Sequence, residues 1–261
     1  MNKNLLISYD AYSKIKHEAP YFYNLNSRKQ YLYYFGSNHT HDSQHPQFDL
    51  LMEKLNEFFS VTENKKRAII VEREHTSNQC GNISQYIFFY GESGAGIFYA
   101  NQTNSTLIMG EPSQKEIFGY LLNSFSKEEI ILFYVCHDIK HWQKNKRNRS
   151  IETFLSEQTK KYREPLNWQE LELNLAFINS IYLKMFGKDL DINDEKLFSQ
   201  ITTPVTIKSK LNEISRSQSQ FRNEYILDKI EKYWNEGYNI FIIYGAGHAV
   251  MQEPAIRSLV S

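Results

Sequence analysis

The stretch Phe241-Ile-Ile-Tyr-Gly245-Ala-Gly-His248 is a run of apolar residues that stops at a glycine and leads to a histidine three positions later. The stretch Tyr31-Leu-Tyr-Tyr-Phe-Gly36-Ser-Asn-His39 repeats this pattern near the other end of the sequence. Each run indicates a buried strand that delivers one imidazole beyond its carboxyl end, where open α/β sheets collect ligands. If the two strands are neighbours, the two histidines face each other across one site.

Three short apolar runs, each followed closely by a glutamate, indicate further buried strands. They are residues 68–71 before Glu72, residues 86–90 before Glu92, and residues 106–109 before Glu111. Apolar residues recur at helical spacing over 48–59, which predicts an amphipathic helix, and Gly94-Ala-Gly96 is expected to open another helix. Residues 4–30 are expected to form an irregular or helical lead-in. The three glutamates should gather along the edge from which the histidines emerge.

The alternation of strands and helices predicts an α/β fold with a mostly parallel central sheet flanked by helices on both faces. From about 127 to 235 the pattern is dominated by helical periodicity. We therefore expect a single domain, 1–261, in which 31–126 and 236–261 form the α/β core and 127–235 form a mainly helical insertion or cap. Caps of this kind usually control substrate access.

Thirty basic residues balance thirty acidic ones, so no overall field attracts nucleic acid or an anionic membrane. The basic run at 144–149 is expected to be a solvated helix end or loop. No segment approaches the ~18 consecutive apolar residues that a membrane-spanning helix needs. Two cysteines without metal or redox spacing favour a reducing compartment. The expected location is the cytoplasm, with secretion as an effector by a dedicated machine left open, and the oligomeric state is not specified by the sequence.

Two histidines and one or two glutamates with open coordination positions suit a divalent metal that activates water. The expected ligands are His39, Glu72 and His248, with Glu111 as a further acidic group. The same side chains can also work without metal, with one histidine as a general base on water and a glutamate orienting it. Arg222 lies early in an amphipathic helix and is expected either to supply a fixed cation for negative charge or to form a surface salt bridge.

The loop after His39 contains His41, Asp42 and His45, which are candidates for orienting His39 or for binding a cofactor themselves. A polar loop that caps the following helix explains Asp42 equally well. His137 and His141 have the spacing of a zinc-binding helix, but no glutamate stands beside the first histidine as a metalloprotease would require, and chance placement is the preferred interpretation.

These motifs resemble the superfamily that contains the Tiki, TraB, ChaN and erythromycin-esterase proteins. The resemblance lies in the two Gly-x-x-His motifs at Gly36 and Gly245, the strand-terminal Glu72, the arginine position at Arg222, and, less closely, Glu111. It covers about 31–111 and 220–250 and does not extend to the helical middle. It implies an α/β core with a hydrolytic site: Tiki-like members resemble metal-dependent peptidases, erythromycin esterases open a lactone, and the ChaN branch binds haem.

The sequence therefore predicts a hydrolase of a peptide, ester or lactone bond that acts on a small molecule or a peptide. Its expected catalytic residues are His39, Glu72, Glu111, Arg222 and His248, assisted by a divalent transition metal such as Mn, Co or Zn. The alternative is a non-catalytic protein of the ChaN type that binds haem, with His41 and His45 as cofactor-binding residues. A third alternative is a fold retained for protein interaction with a decayed site.

Overall fold

The computed structural model describes residues 1–73, 80–145 and 149–261. Residues 146–148 of the predicted basic run therefore lie outside the described residues. The chain divides into two compact units, one formed by Met1–Pro112 and Arg222–Ser261 and the other by Ser113–Phe221.

The secondary structure of the first unit begins with a short 3-10 helix at Lys3–Leu5. The helices and strands of this unit up to Pro112 are α1 (Tyr9–Tyr12), β1 (Tyr21–Ser27), β2 (Gln30–Ser37), α2 (Gln47–Val61), β3 (Arg67–Val71), α3 (Ile83–Tyr90), α4 (Glu92–Thr103) and β4 (Thr106–Met109). The described elements that follow are α5 (Gln114–Leu121), α6 (Lys127–Asn145), α7 (Ile151–Arg163), α8 (Leu175–Phe186), α9 (Glu195–Ile201), α10 (Lys210–Asn235), β5 (Asn239–Gly245) and α11 (Ala246–Val260).

The five strands within the described residues form one sheet in the order β1-β2-β5-β3-β4. Strands β2, β5, β3 and β4 are parallel, and β1 pairs with β2 in the antiparallel direction. This confirms the predicted α/β class with a mostly parallel sheet. In the register of β2 and β5, Gly36 lies opposite Tyr244 and Ser37 lies opposite Gly245. The two histidine motifs therefore leave the sheet side by side at the same edge.

The central strand β5 is buried along its whole length, which explains its continuous apolar sequence. Its alternate side chains serve two different cores. Ile242 and Tyr244 belong to a cluster with the first-unit part of α10 and with α11, while Phe241 and Ile243 belong to a cluster with α2, α3 and α4. Helices therefore cover both faces of the sheet, as the sequence pattern predicts.

Gly36 is required by the close packing of α11 against the end of β2. A Cβ atom at this position would lie 2.8 Å from Ala249 Cβ, 2.9 Å from Ala246 Cα and 2.9 Å from the carbonyl oxygen of Tyr21. Two of these three neighbours are backbone atoms, which do not move aside easily. The first glycine motif thus fixes how the helix that bears His248 approaches the strand that precedes His39.

Two expectations about local structure are wrong. Residues 21–27 form strand β1 rather than an irregular or helical lead-in, and the turn after it places Arg28 and Lys29 at φ of 53° and 71°. Such hairpin turns usually contain Asn or Gly, so this one carries no recognisable sequence signal. Residues 86–90 lie in helix α3 rather than in a strand. A short apolar run does not distinguish the two structures, and Asn82 caps this helix by accepting from the backbone N–H of Gln85.

The predicted strand over Thr106–Met109 and the predicted helix within Gln47–Val61 are confirmed. The second unit is helical in its described part, with a core of its own built around large buried side chains such as Phe118, Tyr162 and Phe198. Across the ranges that the structure describes, no helix combines the length and the apolarity that crossing a bilayer requires.

Candidate functional site

Four of the predicted site residues lie at the carboxyl edge of the sheet because each follows a parallel strand. His39 follows β2, Glu72 follows β3, Glu111 follows β4, and His248 lies in the first turn of α11 directly after β5. Arg222 reaches them from α10. All five belong to the first unit, so the structure brings together residues that stand more than two hundred positions apart in the sequence.

The guanidinium of Arg222 connects the two strand-terminal glutamates. Its Nε donates to Glu111 Oε2 at 2.5 Å, and its Nη2 donates to Glu111 Oε1 at 2.8 Å and to Glu72 Oε1 at 2.6 Å. The side chains of Arg222, Glu111 and Glu72 are only 21%, 14% and 11% exposed. Such a bidentate, largely desolvated ion pair is rigid. Arg222 is therefore not the surface salt bridge that was the alternative interpretation.

Tyr244 is a member of this network that the sequence did not single out. Its hydroxyl donates to Glu111 Oε1, and the side chain is fully buried. Burial, followed by the charge of Glu111, raises the pKa of Tyr244 well above its ordinary value. Because Tyr244 stands inside an apolar strand, its sequence context indicates only a core residue.

His39 forms a close pair with Glu92. Its Nδ1 lies 2.6 Å from Glu92 Oε1, and Glu92 is buried at the start of α4. This hydrogen bond, opposed by partial desolvation and supported by the charge of Glu72, raises the pKa of His39 to about 9. Burial favours a higher pKa for Glu92, but the hydrogen bond from His39 and its charge outweigh burial, so the pKa of Glu92 is lowered.

The other ring nitrogen of His39 points toward the second glycine motif. Nε2 lies 4.0 Å from Glu72 Oε2, and a Cβ atom at Gly245 would approach it to 2.9 Å. The backbone N–H of Gly245 donates to the same Glu72 oxygen at 2.6 Å. Gly245 thus leaves space for the imidazole that any side chain would fill. The side chain of His39 is 63% exposed, so a substrate can approach the imidazole.

His248 is held in one tautomer by Asn223. The oxygen Asn223 Oδ1 lies 2.7 Å from His248 Nδ1 and also accepts from Gln252 Nε2 at 2.7 Å. Because this oxygen can only accept, Nδ1 of His248 carries the proton and Nε2 presents a lone pair. Desolvation, followed by the charge of Arg222, lowers the pKa of His248 to about 3. His248 is therefore neutral over the whole physiological range.

The amide nitrogen of Asn223 has no hydrogen-bond partner in the part of the chain that the structure describes, although the residue is completely buried. Gln252 matches this amide orientation, because its oxygen accepts from the Tyr34 hydroxyl at 2.8 Å and its nitrogen donates to Asn223 Oδ1. Asn223 directly follows Arg222 and positions His248, and no sequence pattern singles it out.

The predicted metal ligands do not fit a divalent metal in this arrangement. Among the described side chains, no group of three or more His, Cys, Asp or Glu residues is placed to hold a metal ion. The physical reason is that the oxygens of Glu72 and Glu111 already accept from Arg222, Gly245 and Tyr244. A guanidinium occupies the position of the cation that the two carboxylates would share.

The loop residues after His39 serve local structure. His41 Nδ1 lies 2.8 Å from the carbonyl oxygen of Phe88, and His45 Nδ1 accepts from the backbone N–H of Gln47 at 3.2 Å. Asp42 accepts from the backbone N–H of Gln44 at 3.0 Å and so closes a turn. It does not cap α2, whose first residue is Gln47. None of these three contacts reaches His39, whose partner is Glu92.

His137 and His141 lie on α6 in the second unit, with ring centroids 4.9 Å apart. They are not part of the cluster around Arg222, which belongs entirely to the first unit.

No protein-family model, no curated protein and no solved structure matches this chain. The chemistry proposed below therefore depends on the geometry of the site.

Proposed function

We propose that this protein is a hydrolase that cleaves a carboxylic ester or lactone, or a peptide bond, with His39 as the general base. The observation that carries the proposal is the 2.6 Å pair of His39 Nδ1 and Glu92, which leaves Nε2 directed at an open edge of the sheet. A histidine whose far nitrogen is held by a buried carboxylate is the arrangement that general-base catalysis uses.

In this reaction the neutral imidazole of His39 removes a proton from a water molecule through Nε2. The oxygen of that water forms a bond to the carbonyl carbon of the substrate, and the bond to the leaving group then breaks. Glu92 holds Nδ1–H throughout and stabilises the imidazolium that forms. Because the pKa of His39 is about 9, only the fraction of molecules with a neutral ring is active, so the rate should rise with pH up to that value.

The other groups would stabilise negative charge and orient the water. The first turn of α11 receives no side-chain cap from Gly245, so its backbone N–H groups can face a developing oxyanion. Arg222 supplies a fixed positive charge at the same edge and holds Glu72 and Glu111 in place. The lone pair on His248 Nε2 is an acceptor for a water or substrate hydroxyl.

Steady-state hydrolysis of small esters, lactones and dipeptide amides tests the proposal. We expect His39→Gln to lower kcat/KM by at least 10²-fold, the usual contribution of a general base. His137→Gln, which removes an exposed histidine from the second unit, is the matched control and should retain full activity. If His39→Gln and the control turn over every substrate equally well, His39 is not the base.

A second candidate function is haem binding, and the surface around His41 favours it. His41 Nδ1–H donates to the Phe88 carbonyl, so the lone pair of Nε2 is available to bind iron. Phe88 and Phe89 are 67% and 47% exposed and offer an apolar face to a porphyrin. Titration with hemin should then produce a Soret shift that His41→Ala abolishes and His137→Ala retains. Absence of any shift in the unmodified protein excludes tight binding.

We also propose that the chain is a distant member of the Tiki, TraB, ChaN and erythromycin-esterase superfamily. The shared sheet edge of the two Gly-x-x-His motifs, with Glu72, Glu111 and Arg222 between them, supports this proposal. The compartment we propose is the cytoplasm, because Cys80 and Cys136 are both free thiols. Cell fractionation with an antibody against the protein tests the location.

A further inference from the structure

Two residues outside the predicted site lie against the second glycine motif. A Cβ atom at Gly247 would meet the hydroxyl oxygen of Tyr12 at 2.8 Å, and this hydroxyl lies 2.8 Å from His17 Nε2. Tyr12 ends the short helix α1, and His17 follows five residues later. Both side chains are half-buried. A tyrosine–histidine pair therefore lies against Gly247, the residue before His248 and two positions after Gly245, which faces His39.

The hydrogen bond between the two side chains has a preferred direction. Nδ1 of His17 is buried and has no partner within the described ranges. If Tyr12 donated to Nε2, the histidine proton would sit on Nδ1 as a buried N–H without an acceptor, which is costly and rare. If Nε2–H donates to Tyr12 instead, only a lone pair at Nδ1 stays unused. The second arrangement leaves the hydroxyl proton of Tyr12 free for another acceptor.

The hydroxyl of Tyr12 also keeps its proton at neutral pH. Burial raises the pKa of Tyr12 above its ordinary value. Its oxygen accepts from His17 Nε2–H, so its own proton is available to a substrate.

The position of this donor suits a substrate bound at the glycine motif. His39 Nε2 lies next to Gly245, and Tyr12 lies next to Gly247. Because consecutive Cα atoms are 3.8 Å apart, the two glycines are separated by at most ~7.6 Å. The side chains of His39 and Tyr12 therefore flank the same three-residue segment, 245–247.

We propose that Tyr12 is a second catalytic residue, which protonates the leaving group, with His17 as its positioning residue. This inference rests on the proposed hydrolase function. The bond between the carbonyl carbon and the leaving oxygen or nitrogen breaks, and the leaving atom keeps the electron pair and takes the hydroxyl proton of Tyr12. His17 Nε2–H keeps its proton and holds the tyrosinate by a hydrogen bond, and the tyrosinate then takes a proton from solvent. The water proton taken by His39 is released to solvent, so the net reaction is simple hydrolysis.

The inference also explains why Gly247 is a glycine. Any side chain at this position would push against the Tyr12 hydroxyl at 2.8 Å. Gly245 is the glycine that ends the strand before His248, whereas Gly247 leaves the space that the Tyr12 hydroxyl occupies.

The test compares two esters of the same acid that differ in leaving group. An alkyl ester such as an ethyl ester needs a proton on the leaving oxygen, whereas a p-nitrophenyl ester does not. We expect Tyr12→Phe to lower kcat/KM for the ethyl ester by about 10²-fold or more and to change the p-nitrophenyl ester by less than about threefold. His17→Gln should show the same selectivity with a smaller loss. Tyr9→Phe, which removes a hydroxyl from the same short helix, is the matched control and should leave both rates unchanged.

The outcomes separate the two proposals. An equal loss on both esters means that Tyr12 acts on structure and overturns the inference, while the hydrolase proposal survives. Unchanged rates of Tyr12→Phe on both esters overturn the inference in the same way. If the unmodified protein hydrolyses neither ester, or if His39→Gln hydrolyses both as well as the unmodified protein does, the hydrolase proposal fails and the role of Tyr12 fails with it. Because Tyr12→Phe removes a single oxygen atom, we expect it to fold, and its thermal midpoint checks this.

Discussion

Replacing Glu92 by Gln should move the pKa of His39 by more than two units. The pair they form is the main cause of the raised value of about 9, compared with an ordinary value of 6.5. Glutamine keeps the shape of the side chain but removes its charge, and an amide oxygen is a much weaker partner for an imidazolium. Desolvation then lowers the pKa of His39 by more than Glu72, at 4.0 Å, raises it, so we expect the pKa of the variant to lie at or below the ordinary value of 6.5.

The protonation of His39 at neutral pH changes accordingly. At pH 7 a pKa of about 9 leaves about 1% of the rings neutral, whereas a pKa at or below the ordinary value of 6.5 leaves at least about three quarters neutral. NMR titration of the imidazole Hε1 resonance measures both values directly. His39→Gln identifies the resonance, because it removes one signal out of the eight histidines of the chain.

The rate profile supplies a second measurement of the same group. The rising limb of kcat/KM should have its midpoint near 9 in the unmodified protein and should move down with the NMR value in Glu92→Gln. Glu57→Gln is the control, since it removes a carboxylate that accepts from Tyr33 instead of from His39. The reasoning is refuted if His39 titrates near 6.5 in the unmodified protein, or if Glu92→Gln leaves its pKa unchanged.

Three further changes have expected outcomes. The pKa of His248 is lowered to about 3 in the folded protein, compared with 6.5 for an ordinary histidine, so folding favours its neutral form. The resulting stability is fully present above pH 6.5 and is lost as the pH falls toward 3, by up to about 1.4 kcal/mol per pH unit. Urea unfolding between pH 7 and pH 4 should show this slope, and His248→Gln should reduce it. Gly36→Ala should destabilise the protein by about 1–3 kcal/mol because its Cβ meets atoms at 2.8 and 2.9 Å, whereas Gly119→Ala, with open space around it in α5, should be neutral or stabilising in the same assay. Arg222→Met leaves two carboxylates without their cation and should cost about 3 kcal/mol, compared with less than about 1 kcal/mol for Arg257→Met on the surface; equal losses would contradict the buried network.

The sequence predicts the sheet well where burial is complete. Strand β5 is buried on both faces, so its apolar run is continuous and predicts a buried strand. Strand β1 lies at the edge of the sheet, alternates only weakly, and joins β2 through Arg28 and Lys29, so nothing in its composition marks a hairpin. Helix α3 has the same composition as a buried strand, and only its cap at Asn82 favours a helix.

The site was predictable in position but not in its pairings. Parallel strands bring Glu72, Glu111 and His39 to one edge because of topology alone. Which carboxylate pairs with which base depends on contacts between residues far apart in the sequence, and local patterns carry no information about them. Glu92 was expected at this edge for the wrong reason, as the end of a strand, and Tyr244 was indistinguishable from a core residue.

The pairing of Arg222 bears directly on how this site handles charge. A guanidinium and a divalent cation compete for the same carboxylate oxygens, and here the guanidinium makes three hydrogen bonds of 2.5–2.8 Å to Glu72 and Glu111. A metal would have to displace those bonds and would leave a largely buried positive charge without a partner, at a cost of several kcal/mol. The pKa of His39 depends mainly on its hydrogen bond with Glu92, and the charge of Glu72 at 4.0 Å also raises it. In the hydrolase that we propose, Arg222 performs the electrostatic part of a metal's role, while the His39–Glu92 pair performs the proton transfer.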